Sequence, residues 1–235
     1  MKNINSSKQI FFDFGRDYDA QIDNFFFTKK NEVLSSQMKE LINNNLSDNI
    51  FINGEQGSGK TFLLNSVLNE IKTKEKISLY IDVSKLKAEN NNFEGLESSF
   101  LLCLDNVDKC EKDIQIQIFN LINECKNTET ILLLTSNYGI NEINVFADLQ
   151  SRIAQMNKFY INELEDTDVK GAIKFISKKL NINLDDDSVN YLELFIRRDF
   201  SSIKQMLLDL DRYIYSEKKQ PSKMMVAKFI KQLGS

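Results

Sequence analysis

The chain has 235 residues, 42% of them apolar and 27% charged, with a net charge of −4 and no histidine at all. That balance suits one large globular domain, or a medium and a small one. The acidic surplus argues against strong direct DNA binding, and the missing histidine excludes hydrolase chemistry of the Ser-His-Asp type.

No apolar run of about 18 residues marks a membrane span, and the N-terminus lacks the apolar core of a secretory signal. Cys103, Cys110 and Cys125 show no paired spacing for zinc or for disulfides. Cytoplasmic residence without a membrane partner is the simplest expectation.

Residues 1–15 are polar and then aromatic, which predicts a flexible N-terminal peptide outside the packed core. From Val33, apolar residues at 33, 34, 38, 41 and 42 have helical spacing. The run 49–53 (NIFIN) reads as a buried strand stopped by glycine-rich sequence. A helix follows from Thr61, with 63, 64, 67, 68 and 71 on one face. Strands are expected at 77–83, 100–105, 130–137 and 158–163, with a helical stretch at 113–127. Strands alternating with helices predict an α/β domain over 16–163, a parallel sheet covered by helices on both faces. From 164 to 235 the chain reads as an all-helical domain, with helices at about 166–180, 185–197, 200–217 and 221–233. Pro221 is expected to start the last of these, where proline is tolerated.

Gly54-Glu55-Gln56-Gly57-Ser58-Gly59-Lys60-Thr61 matches G-x-x-x-x-G-K-[ST] between a strand and a helix. In that pattern backbone N–H groups curl around a phosphate, the lysine reaches the outer phosphates and the hydroxyl ligates Mg²⁺. ADP or ATP with Mg²⁺ is therefore the expected cofactor. Asp105 ends a buried strand where a second Mg²⁺ ligand belongs, or else is a capping aspartate. Asn106 follows it and can orient a water, but accepts a proton far less well than a carboxylate. Asn137 closes the next strand, either as a sensor of the outermost phosphate or as a turn former.

The order of these parts resembles the AAA+ ATPases, and among them the initiator DnaA and its relatives. The segment 22–34 (IDNFFFTKKNEVL), with Phe25, is similar to the stretch that flanks the adenine in that family. Residues 148–153 (DLQSRI) resemble its arginine-finger box and make Arg152 the finger; the alternative is an arginine in a surface ion pair. The helical part resembles the family's lid, after which an initiator would continue into a DNA-binding domain. The short chain and the pair Asp105-Asn106 are similar to the Hda-type regulatory inactivators of DnaA. Gln9, Ile10, Phe12 and Phe14 are spaced like a sliding-clamp-binding peptide, or like an aromatic strand packing on its own domain.

The resemblance implies a regulator that binds ADP or ATP and docks on the DNA-loaded β sliding clamp. There it would stimulate hydrolysis of DnaA-bound ATP through Arg152 in trans, with weak or no turnover of its own. A homodimer is compatible with this. The alternatives are a self-hydrolysing AAA+ ATPase, such as a helicase loader of the DnaC type, and a plain nucleotide-binding scaffold. One departure stands out: where the family's lid carries an arginine this chain has Ser201, leaving Arg198 as the candidate replacement at the nucleotide.

Overall fold

The computed structural model describes residues 17–43, 45, 47–71, 77–87, 93–218 and 220–233. The peptide Gln9–Phe14 lies outside the described residues. Five parallel strands form one sheet: β1 (Ile50–Asn53), β2 (Ser78–Asp82), β3 (Leu101–Asp105), β4 (Ile131–Ser136) and β5 (Asn157–Tyr160), in the order β2-β3-β4-β1-β5. Leu101–Leu104 and Ile131–Ser136 are buried throughout, as expected of central strands covered on both faces.

Successive side chains of each strand enter opposite cores. Phe51, Leu102, Leu104, Leu132 and Leu134 face one cluster, closed by α3 (Lys112–Cys125) and α4 (Ala147–Ala154). Ile50, Ile52, Leu101, Cys103, Ile131 and Leu133 face the other, closed by α1 (Glu32–Ile42) and α2 (Lys60–Glu70). The α/β architecture with helices on both faces is as the sequence predicts.

The lid comprises α5 (Asp166–Lys179), α6 (Asp186–Glu193), α7 (Phe200–Glu217) and α8 (Lys223–Leu233) around its own apolar cluster. Phe25 belongs to the sheet's core, while the next residue, Phe26, packs on Phe175 and Phe200 of the lid at 5.4 and 6.3 Å. These two phenylalanines pin the lid to the α/β domain.

Four details depart from the sequence reading. β5 ends at Tyr160 rather than 163, because β1 offers only Ile50–Asn53 as partners before it becomes the glycine loop. α6 stops at Glu193, after which the chain turns so that Ile196 is buried. α8 begins at Lys223, with Ser222 as its cap: Ser222 Oγ accepts from Met225 N at 3.4 Å, and Pro221 stands one residue before. α4 was not expected from the sequence at all. Among the described residues no helix is long and apolar enough to cross a membrane.

Candidate nucleotide-binding site

The loop Gly54–Gly59, Asp105 and Asn137 all lie at the C-terminal ends of β1, β3 and β4. The chain leaves β1 through α2 and crosses to the far edge of the sheet, so the loop sits where strand order reverses, the usual ligand crevice of such sheets. Gly59 has φ +94°, and a Cβ there would lie 2.9 Å from Cε2 of Phe25. Glycine therefore both permits the turn and lets the Phe25 ring lie against the loop.

Lys60 is buried, and its ammonium donates to the carbonyls of Gly54 and Glu55 at 2.7 and 2.8 Å and to Ser58 Oγ at 3.3 Å. Burial lowers its pKa from the usual lysine value, while the carboxylates of Asp105 and Asp108 oppose that shift.

Asp105 is fully buried. Three hydroxyls donate to it: Thr61 to Oδ2 at 2.6 Å, Tyr80 to Oδ2 at 2.8 Å, and Thr135 to Oδ1. Thr61 and Asp105 thus bring two hard oxygen donors together at the N-terminus of α2. That donor set fits Mg²⁺, which keeps waters and phosphate oxygens in its remaining positions rather than needing an all-protein cage. Bound there, the ion would neutralise charge on the phosphates.

Asn106 adopts the left-handed conformation (φ 61°), which asparagine tolerates better than most residues. Its Nδ2 donates to Asp82 Oδ1 at 3.1 Å. Asn137 is held at two points by Asp108, its backbone N donating to Oδ1 at 3.1 Å and its Nδ2 to Oδ2 at 3.0 Å.

Between loop and lid lies a cleft of about 510 Å³. Phe25, Glu55–Gly59 and Arg198 line it, which brings these sequence-predicted residues together. Arg198 forms an ion pair with Asp166 across the first turn of α5. Arg152 does not line the cleft; it stands on α4, half-buried, with its guanidinium 5.7 Å from the centre of the Phe119 ring. The sequence reading missed Tyr80, Thr135 and Asp108, and also Phe62, Glu163 and Lys204, which line the cleft. Only Asp108, three residues after Asp105, carried a signal of its own.

The sequence profile of the PIF1-like helicase family matches residues 27–158, more than half of the chain. The chain belongs to the PIF1-like helicase family. Within this member the match covers the phosphate loop, Asp105, Asn137 and Arg152, and it stops before the lid. An uncharacterized protein of Haemophilus influenzae is 28% identical over 200 residues, 83% of this chain and 86% of that protein. Domain III of the Thermotoga maritima replication initiation protein DnaA is similar in fold, with a TM-score of 0.77 at 18% identity over 93% of this chain and 98% of that one. AMPPCP-bound DnaA from Aquifex aeolicus gives 0.74 at 24% identity, over 86% of this chain and 68% of that one. These likenesses show the fold, a DnaA-like AAA+ P-loop domain followed by a helical lid.

Proposed function

We propose that the chain is a regulatory AAA+ protein that binds ADP or ATP with Mg²⁺ and lends Arg152 to the nucleotide of a partner, ATP-bound DnaA. The observation that carries this is the position of Arg152. It does not line the chain's own cleft, and among the described residues it has no carboxylate partner, only the face of Phe119. A guanidinium held this way is available to a second molecule. An arginine given in trans stabilises charge on a transferring phosphoryl group and raises turnover by about 10³–10⁵-fold. The chain's own nucleotide would order the protein, and the likeness of fold to DnaA supports DnaA as the partner. Gln9, Ile10, Phe12 and Phe14 would hold the protein on the DNA-loaded β clamp.

The test is hydrolysis of DnaA-bound ATP with and without DNA-loaded clamp. Wild-type protein stimulates it, Arg152→Ala does not while binding ADP normally, and Gln9→Ala loses the clamp dependence. Full stimulation by Arg152→Ala overturns the proposal.

A second reading, a self-hydrolysing ATPase such as a helicase or helicase loader, is favoured by the PIF1-like match and by Asp108. That carboxylate acts on Lys60 electrostatically and grips Asn137, so an acid is present near the site despite Asn106. It predicts strong turnover by the isolated protein that Asp108→Asn abolishes.

A further inference from the structure

We infer that Gln115 is the positioning residue for Arg152, fixing the start of the helix that carries it. This rests on the reading of Arg152 as an arginine lent to a partner's nucleotide. α4 has eight residues, too few to be stable alone. Its N-cap, Phe146, has no side-chain oxygen, and its third residue, Leu149, is buried in the core. α4 therefore cannot close its own first turn with a capping box. Gln115, in the first turn of α3, does so from outside: its Oε1 accepts from Phe146 N at 3.2 Å. The same amide donates to the carbonyl of Asn144 at 3.3 Å and to that of Cys110 at 3.4 Å.

Gln115 is buried, so a lost bond here leaves a backbone group unpaired and out of water. Phe119, one turn further along α3, holds the other end of α4. Its ring meets Phe146 edge-on at 5.7 Å and receives the Arg152 guanidinium at 5.7 Å. Gln115 and Phe119 are four residues apart and so share one face of α3. That face grips α4 at its cap and at its arginine. The bond to Cys110 reaches further, because Cys110 closes the short turn Val107–Lys109, which carries Asp108. Asp108 in turn holds Asn137 at the end of β4. One amide thus ties the Asp108 turn to the helix of the arginine, although Gln115 itself does not line the cleft.

The test is hydrolysis of DnaA-bound ATP at rising concentrations of the full chain, with ADP affinity and melting temperature measured on each variant. Gln115→Met keeps the length of the side chain and loses all three bonds. It is expected to lower the maximal stimulation about tenfold, with the half-saturating concentration and ADP affinity within about twofold of wild type. Gln115→Glu keeps an acceptor for Phe146 N but buries a charge. It is expected to stimulate less than wild type and more than Gln115→Met while being no more stable than the latter. Hydrogen exchange should show the amides of α4 opening about tenfold faster in Gln115→Met, with β4 unchanged. A wild-type maximum in Gln115→Met overturns the inference. Stimulation that follows melting temperature across both variants, with ADP affinity falling in step, makes Gln115 a structural bond only and also overturns it. Should Gln115→Met not fold, Gln115→Glu decides alone: a lowered maximum at unchanged ADP affinity supports the inference, and a wild-type maximum overturns it. If the wild-type protein gives no stimulation, the reading of Arg152 itself fails and the inference falls with it.

Discussion

Tyr80 donates its phenol to Asp105 Oδ2 at 2.8 Å, so the edge strand β2 holds the carboxylate at the end of β3. Burial and the neighbouring Asp105 and Asp82 raise the Tyr80 pKa, so the phenol stays a donor at every working pH. Tyr80→Phe leaves the buried carboxylate short of one donor and should destabilise the protein by about 1–2 kcal/mol. More Mg²⁺ should also be needed to half-saturate ADP binding. Urea unfolding and a Mg²⁺ titration measure the two effects. An unchanged midpoint in both would mean the phenol adds nothing to holding Asp105.

Asn106 is bound into a different network. Burial raises the pKa of Asp82, but hydrogen bonds from Ser84, Lys85 and Asn106 outweigh it and hold the carboxyl below the usual aspartate range. Asn106→Asp would set a second carboxylate against Asp82. We expect no gain in ATP turnover and a loss of about 1–2 kcal/mol in stability. Asn106→Gly, which keeps the left-handed backbone, should lose less. A depressed carboxylate pKa stabilises the fold above its unfolded value, and the gain is lost as pH falls through the lower native one. The gap between wild type and Asn106→Gly should therefore close below the ordinary aspartate value of 3.8. Vigorous hydrolysis by Asn106→Asp would contradict this account.

Gly59→Ala combines two penalties, a left-handed backbone at φ +94° and a Cβ 2.9 Å from Phe25. A residue forced into that region costs about 1–3 kcal/mol, and here the loop or the Phe25 ring must shift. Loss of ADP binding with the lid still folded is the expected result, read by calorimetry and by circular dichroism. Normal ADP affinity would show that the loop reaches its geometry without glycine.

Glu163, between β5 and the lid, lies beside Glu55 of the loop. The hydrogen-bonding and like charge of Glu55, with smaller contributions from burial and Asp199, raise its pKa above the ordinary carboxylate value of 4.5. The folded protein then holds the proton more tightly than the unfolded chain, so stability is greatest on the acid side and falls as pH rises through the interval above 4.5. Glu163 is exposed, so salt screens much of the effect. Glu163→Gln should flatten the pH dependence of the melting temperature in low salt. Removing one negative charge from the cleft should tighten ADP binding by about two- to threefold. An unaltered pH profile would show that the two carboxylates do not share a proton.

Much of what depends on a few consecutive residues was legible in the sequence, the short helix α4 excepted. The phosphate loop, Asp105 at a strand end and the four lid helices follow from glycine, apolar runs and helical spacing, which local backbone sterics and one-sided burial translate directly into structure. Side-chain partners were not legible, because they are chosen across the fold. Tyr80 meets Asp105 from 25 residues away, Thr135 from 30, and Asn137 is claimed by Asp108 rather than left free. The same holds for Lys204, which meets the Phe62 ring of α2 only once α7 is packed on the α/β domain. Periodicity says which face of a helix is buried; only the packing of lid on domain says which polar residues on the other face line the cleft.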